Sequence, residues 1–209
     1  MNFNPRLYLV TDSTYNSEEA FLKIIDEACK AGVTLVQLRE KNKTTREYIE
    51  IGLKVKAITD SHKIPLIIDD RVDVVMAIDA SGVHVGAEDM PVHIARKILG
   101  NDKIVGATAK TVEVAIKAVN DGADYLGVGA IYPTTTKVIT KITEVSTLND
   151  IATAVDVPIV AIGGLNETNL DILNKSEIDG IAVVSAIMKS KQVDKDTKKL
   201  RQLVDNIVQ

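Results

Sequence analysis

Short apolar runs rich in valine and isoleucine recur along the chain, and a stretch with helical spacing of apolar positions follows each. The runs are RLYLVT (6–11), VTLVQL (33–38), IPLIID (64–69), SGVHVG (81–86), KIVGAT (103–108), ADYLGVG (123–129), VPIVAIGG (157–164) and IDGIAVVS (178–185). They are near-continuous rather than cleanly alternating, the mark of strands buried on both faces. Between them, EEAFLKIIDEACKAG places Ala20, Phe21, Ile24, Ile25 and Ala28 on one helical face, and TREYIEIGLKVKAIT and VEVAIKAVNDG read the same way. Ser17, Thr44 and Thr111 stand where N-caps belong, and Gly32 and Gly122 just beyond helix ends.

Strict alternation of strand and helix implies a parallel sheet covered by helices. Eight such units in 209 residues fit the short end of the (β/α)8 TIM barrel range, so the prediction is a single barrel domain over residues 1–209. The alternative is an open doubly wound sheet. Six or seven strands would suit it better, and the GxGxxG that often follows its first strand is absent.

Composition narrows the function classes. The chain is 45% hydrophobic and 26% charged, with a formal net charge of −4 and its 25 basic residues dispersed. Nucleic acid is therefore an unsuitable partner. No apolar run approaches the roughly 20 residues of a membrane span, and the N-terminus lacks the pattern of a secretory signal. Cys29 is the single cysteine, on the apolar face of a predicted helix, and reads as a small core residue. These features point to a cytoplasmic protein. They leave its oligomeric state open, a homo-oligomer included.

The second run departs from a simple buried strand. In VTLVQLREK, side-chain alternation puts Leu35, Gln37, Arg39 and Lys41 on one face and Val36 and Leu38 on the other. In a barrel, one face packs on helices and the other points inward, and near a strand's C-terminal end the inward face reaches the open mouth, where active sites lie. The alternating trio Gln37, Arg39 and Lys41 is thus predicted to enter the mouth, while Glu40 and Lys43 read as solvated loop charges.

Other strand ends carry matching chemistry. Asp69 and Asp70 end the third run, Glu88 and Asp89 follow the fourth, and Thr134, Thr136 and Lys137 follow the sixth. Each has a plainer reading alone: acids favour helix N-termini, Asp89 could cap a helix that opens at Pro91, and threonine-rich loops are often only solvated. Their convergence on one end of one barrel weakens those readings. Gly163-Gly164 after the seventh run and Val184-Ser185 after the eighth match the monophosphate site of this fold, where backbone N–H groups hold the anion. Arg39, Lys41 and Lys137 exceed what a monophosphate needs, and Asp70 and Asp89 would repel a second anion unless a cation intervened. Mg2+ is usually held by one or two carboxylates plus substrate phosphates. The set implies a Mg2+-bound diphosphate beside a monophosphate, and hence the joining of two substrates with diphosphate as leaving group.

QLREK, DDRVD, VHVGAEDMP, GVGAIYPTTTK, AIGG and VVSAI, in that order, resemble the thiamin phosphate synthase family from about Leu7 to about Met188. The resemblance implies coupling of hydroxymethylpyrimidine diphosphate to thiazole phosphate, with release of diphosphate and thiamin phosphate, by a dissociative route. It implies that Gln37, Leu38, Arg39, Glu40, Lys41, Asp69 and Lys137 bind the pyrimidine diphosphate, with Arg39, Lys41 and Lys137 carrying the catalytic charge. It further implies that Thr108 faces the pyrimidine, that Asp70 and Asp89 hold Mg2+, and that Thr134, Thr135, Thr136, Gly164, Val184 and Ser185 bind the thiazole phosphate. A dissociative displacement needs no nucleophile, and none is visible. His62, His84 and His93 show no metal-ligand spacing, and His84 reads as a packed barrel residue. The chain departs from the family at Asp69, usually Asn; at Ala87, often Gln; at Thr108, often Ser; at Ala130, often Pro; and in VITKITEVS, which lacks the usual Asp and Gly. Two rivals are a thiazole tautomerase, which needs only the monophosphate half, and a silent barrel that senses thiamin precursors.

Overall fold

A computed structural model describes residues 3–134 and 141–208. Eight strands close into a parallel barrel in sequence order, with β1 (Leu7–Val10) pairing both β2 (Leu35–Leu38) and β8 (Gly180–Val183). Between them run β3 (Leu66–Asp69), β4 (Gly82–Val85), β5 (Ile104–Ala109), β6 (Tyr125–Gly129) and β7 (Ile159–Ile162). Each falls within one of the eight predicted runs, except that β5 extends one residue past its run to Ala109, and the open-sheet alternative is excluded by closure. Most strands are buried along their whole length, as their unbroken apolar character required.

The first six strands are each followed by an α-helix: α1 (Glu18–Ala31), α2 (Thr45–Ser61), α3 (Val72–Ile78), α4 (Val92–Leu99), α5 (Val112–Asn120) and α6 (Val145–Ala154). The predicted caps are in place. The side chains of Ser17, Thr44 and Thr111 accept from the N–H groups of Ala20, Glu47 and Val114, and Thr44 with Glu47 completes a capping box. Helix α4 differs: it opens at Val92 with Pro91 in the cap position, and Asp89 does not cap it.

The alternation breaks after β7. In place of an α-helix there is only a 3-10 turn, Leu170–Leu173. Side chains upstream compete for the backbone: Asn166 Oδ1 accepts from Thr168 N (2.9 Å), and Asn169 bridges Asn166 N (2.9 Å) and Gly164 O (2.9 Å). After β8 a single turn, α7 (Ser185–Met188), leads into α8 (Val193–Ile207). That charged C-terminal helix buries Val193, Thr197, Leu200 and Val204 and reaches α1 through Arg201 Nη1, which donates to Gly32 O (3.2 Å).

The period of two sorts the core into layers. Val36, Leu38, Ile68, Val83 and Val105 join the outer core under the helices, whereas Tyr8, Val10, Leu35, Ile67, Ile104, Tyr125, Val160 and Ala182 fill the barrel. Cys29 is buried in the outer layer, as expected for a packing residue. Among the described residues, no helix is long and apolar enough to cross a membrane.

Candidate active site

The C-terminal mouth of the barrel holds a cavity of about 230 Å³. Gln37, Arg39 and Lys41 all line it, as alternation predicted. Asp69, Asp70, Asp89, Thr108, Thr134, Gly164, Val184 and Ser185 line it as well. Strand order sets the layout: β2, β3 and β4 bring cations and carboxylates to one side, and β6, β7 and β8 bring glycines and hydroxyls to the other.

The side chains of two of the expected residues stand elsewhere. Leu38 is fully buried in the outer core, pointing at the helices, and its carbonyl accepts from Tyr48 Oη (2.6 Å). Glu40 accepts from Ser13 Oγ (2.8 Å) and does not line the cavity. Both follow from the same alternation that turns Gln37, Arg39 and Lys41 inward. Burial pushes the Glu40 carboxyl up, against the bond from Ser13. Thr135, Thr136 and Lys137 lie outside the described residues.

On the charged side, Lys41 Nζ lies 2.8 Å from Asp69 Oδ2 and donates to Asp70, and Arg39 Nε is 3.8 Å from Asp69. Asp69 is 8% exposed, and burial holds its carboxyl above the usual range even though Lys41 and Arg39 pull it down. Its Oδ2 is matched by the lysine charge rather than by a well-directed hydrogen bond. Burial also pulls on the Lys41 ammonium, but the bonds to Asp69 and Asp70 outweigh it and raise its pKa.

Asp70 holds a left-handed backbone at φ +61°, unusual for a residue with a Cβ, and its N–H donates to His84 O (2.8 Å). Opposite it, Asp89 Oδ2 accepts from Gly86 N (2.8 Å). The Asp89 carboxyl sits above the ordinary range, first through burial and then through the neighbouring Asp70. Two carboxylates so close to each other, on strained and tethered backbone, suit a hard divalent cation that takes its remaining oxygens from phosphate and water. Among the described residues there is no cluster of three or more His, Cys, Asp or Glu that would form an all-protein cage.

On the far side, Gly163 and Gly164 turn through φ +103° and +67°. A Cβ on Gly164 would stand 2.7 Å from Tyr132 Cβ and 2.8 Å from Pro133 O, so only glycine lets the backbone fold this tightly at the rim.

The floor was not read from the sequence. Gln37 Nε2 donates to Tyr8 Oη (2.8 Å), which is 2.8 Å from Tyr125 Oη; that oxygen is 3.0 Å from His84 Nδ1, and His84 Nε2 is 3.0 Å from Thr108 Oγ1. Five polar side chains thus form one continuous row from β2 to β5. Gly106 and Gly127 leave it room: a Cβ would meet the Tyr125 ring at 2.1 Å from the first and His84 Cε1 at 3.2 Å from the second. His84 is a packed barrel residue, as expected, and also lines the cavity; burial pushes its imidazole down to about 4. Lys110, two residues beyond Thr108, lines the cavity too and was missed.

The family model described as thiamine monophosphate synthase matches residues 7–187. The chain is 50% identical over 203 residues to thiamine-phosphate synthase 2 of Streptococcus pneumoniae serotype 4, covering 97% of each chain. It is 50% identical over 199 residues to the thiamine-phosphate synthase of Clostridium tetani, covering 95% of each. Among solved structures, thiamine phosphate pyrophosphorylase from Pyrococcus furiosus superposes with a TM-score of 0.89 at 38% identity, covering 98% of this chain and 97% of that one.

Proposed function

This chain belongs to the thiamine monophosphate synthase family and is a transferase of thiamine biosynthesis, and from that premise we propose how its barrel mouth joins the two substrates. The reaction couples hydroxymethylpyrimidine diphosphate with thiazole phosphate and releases diphosphate and thiamin phosphate. One observation carries the proposal: Arg39, Lys41, Asp70 and Asp89 share the cavity with Gly164 and Ser185, which stand on the opposite arc of strands. A diphosphate at the charged side and a monophosphate at the glycine side place the two reacting centres between them.

Arg39 and Lys41, joined by Lys137, hold the diphosphate and stabilise the charge that gathers on it as the carbon–oxygen bond breaks. Asp70 and Asp89 are the residues that would hold Mg2+, which when bound neutralises further charge on the leaving diphosphate. Lys41 is tied to Asp69 and Asp70 before substrate arrives, so its ammonium is already aimed at the rim. Asp69 keeps Lys41 and Arg39 together rather than touching phosphate itself. Gln37 and Thr108 face the pyrimidine ring. Thr134, Thr135, Thr136, Gly164, Val184 and Ser185 hold the thiazole phosphate, and the thiazole nitrogen attacks the pyrimidine methyl cation left by dissociation. No residue acts as a nucleophile. We place this single barrel domain, residues 1–209, in the cytoplasm, where the buried Cys29 thiol stays reduced.

The test is thiamin phosphate formation by the purified protein from both substrates, across a Mg2+ titration, with Asp70→Ala in parallel. Product that rises with Mg2+ in the wild type, and a lost or displaced titration in Asp70→Ala, are expected. A wild-type titration curve in the variant refutes the metal assignment. Thiazole phosphate binding without coupling refutes the two-substrate reading in favour of a tautomerase or sensor.

A further inference from the structure

We propose that Tyr8, Tyr125 and His84 are positioning residues that fix the hydrogen-bond polarity of Gln37 and Thr108, so that the cavity floor selects an aminopyrimidine over its oxo isostere. The inference rests on the reading that the pyrimidine sits between Gln37 and Thr108, and adds to it which atoms those two residues present.

The polarity follows from counting protons along the row. Gln37 Nε2 donates to Tyr8 Oη, so its Oε1, which has no protein partner among the described residues, is left for the cavity. Tyr8 is buried and has one hydroxyl proton, and its one remaining neighbour in the row is Tyr125 Oη at 2.8 Å. Were that proton supplied by Tyr125 instead, the Tyr8 hydroxyl would be a buried donor without an acceptor, costing about 1–3 kcal/mol. The Tyr125 proton must then go to His84 Nδ1 at 3.0 Å. A neutral imidazole that accepts at Nδ1 carries its proton on Nε2. That proton goes to Thr108 Oγ1 at 3.0 Å, which frees the threonine hydroxyl to donate into the cavity.

The two ends of the row therefore present an acceptor at Gln37 and a donor at Thr108. An aminopyrimidine offers the complement: an exocyclic N–H to donate and a ring nitrogen to accept. A pyrimidinone of the same shape inverts both groups, a carbonyl replacing the amine and a ring N–H replacing the bare nitrogen. It would leave buried polar groups opposed, and sites built to hydrogen-bond one pattern discriminate strongly against its inverse. The ends cannot reverse separately, because a flip of Gln37 requires every hydroxyl and the imidazole tautomer to reverse with it.

Two measurements on the full chain test this. In the ligand-free protein at neutral pH, nitrogen NMR of labelled histidine should show His84 neutral with its proton on Nε2. A proton on Nδ1, or an imidazolium, overturns the proposal. In steady-state assays, wild type should prefer the aminopyrimidine diphosphate over the pyrimidinone diphosphate by at least a hundredfold in kcat/KM. Tyr125→Phe should cut that ratio at least tenfold while leaving the KM for thiazole phosphate within twofold, and Tyr8→Phe, which breaks the row one link earlier, should do the same. An unchanged ratio in a folded variant of either kind overturns the proposal, as does an equal loss for both substrates, the pattern of a purely structural defect. Calorimetry of the wild type with the aminopyrimidine diphosphate separates the two levels. No binding there refutes the proposed function, whereas binding with the wrong tautomer refutes only the polarity.

Discussion

Replacing Gly164 by alanine tests the monophosphate side of the cavity, and Gly100 supplies its control. Both glycines have positive φ, +67° and +71°, and Gly100 pairs it with ψ −164°, so an added Cβ costs roughly 1–3 kcal/mol at either site. Loss of freedom in the unfolded chain offsets about 0.4–1 kcal/mol of that. The surroundings differ. Nothing lies within 4 Å of a Cβ on Gly100, whereas a Cβ on Gly164 meets Tyr132 Cβ at 2.7 Å and Pro133 O at 2.8 Å. Relieving those contacts means moving backbone, an overpacking cost of about 1–3 kcal/mol more. Gly100→Ala should therefore lose about 1 kcal/mol and Gly164→Ala about 2–4 kcal/mol. For a chain of this size that is a Tm fall of about 2–4 °C for the first and about 4–16 °C for the second. Function should separate them further. On the proposed role of Gly164, displacement of its backbone moves its N–H off the thiazole phosphate, so thiazole phosphate binding by calorimetry should weaken at least about tenfold, equivalent to about 1.4 kcal/mol. Gly100→Ala should bind as wild type does. If the two variants match in both Tm and thiazole phosphate affinity, the rim glycine has no special steric or binding role and the reasoning fails.

Three other outcomes are expected. Lys41→Ala should lower kcat by about 10²–10³, the size seen when one donor to a developing negative charge is removed, and a kcat within threefold of wild type would exclude Lys41 from leaving-group stabilisation. His84 is held near pKa 4 against about 6.5 unfolded, so its neutral form is favoured in the fold. Its contribution is whole above pH ~6.5 and is lost as pH falls towards about 4, a total of roughly 2–3 kcal/mol after allowing for its partial access to the cavity. Urea midpoints of wild type should thus fall more steeply over that range than those of His84→Gln, and parallel curves would count against it. Cys29, with its thiol pushed up to about 12 by burial, should react with a disulfide reagent only slowly in the native protein and at once in urea; rapid native labelling would place it nearer the surface.

Much of the site could be read from strand parity. Gln37, Arg39 and Lys41 were found because a polar trio at a period of two cannot share a face with Val36 and Leu38. The same parity reaches residues that were missed: His84 lies between Gly82 and Gly86, Lys110 follows Gly106 and Thr108 at the same period, and Tyr125 precedes Gly127 and Gly129, all at inward positions. Parity equally turns the side chains of Leu38 and Glu40 away from the cavity, which a motif read as a block does not reveal.

The sequence alone determined the eight strands, the inward trio and the helix caps, because these depend on local periodicity and on side chains only a few residues apart. Tertiary structure decided what depends on closure. It alone showed that the seventh crossover is a 3-10 turn tied by asparagines. It alone set Lys41 between Asp69 and Asp70 and brought Asp89 up beside Asp70. It alone stacked Tyr8, Tyr125 and His84 into the space left by Gly106 and Gly127. The turn's own bonds are local, but the carboxylate, lysine, tyrosine and histidine contacts join residues from 19 to 117 positions apart in the chain, and no local rule carries that distance: hydrogen-bond geometry between strands exists only once the barrel has set their register.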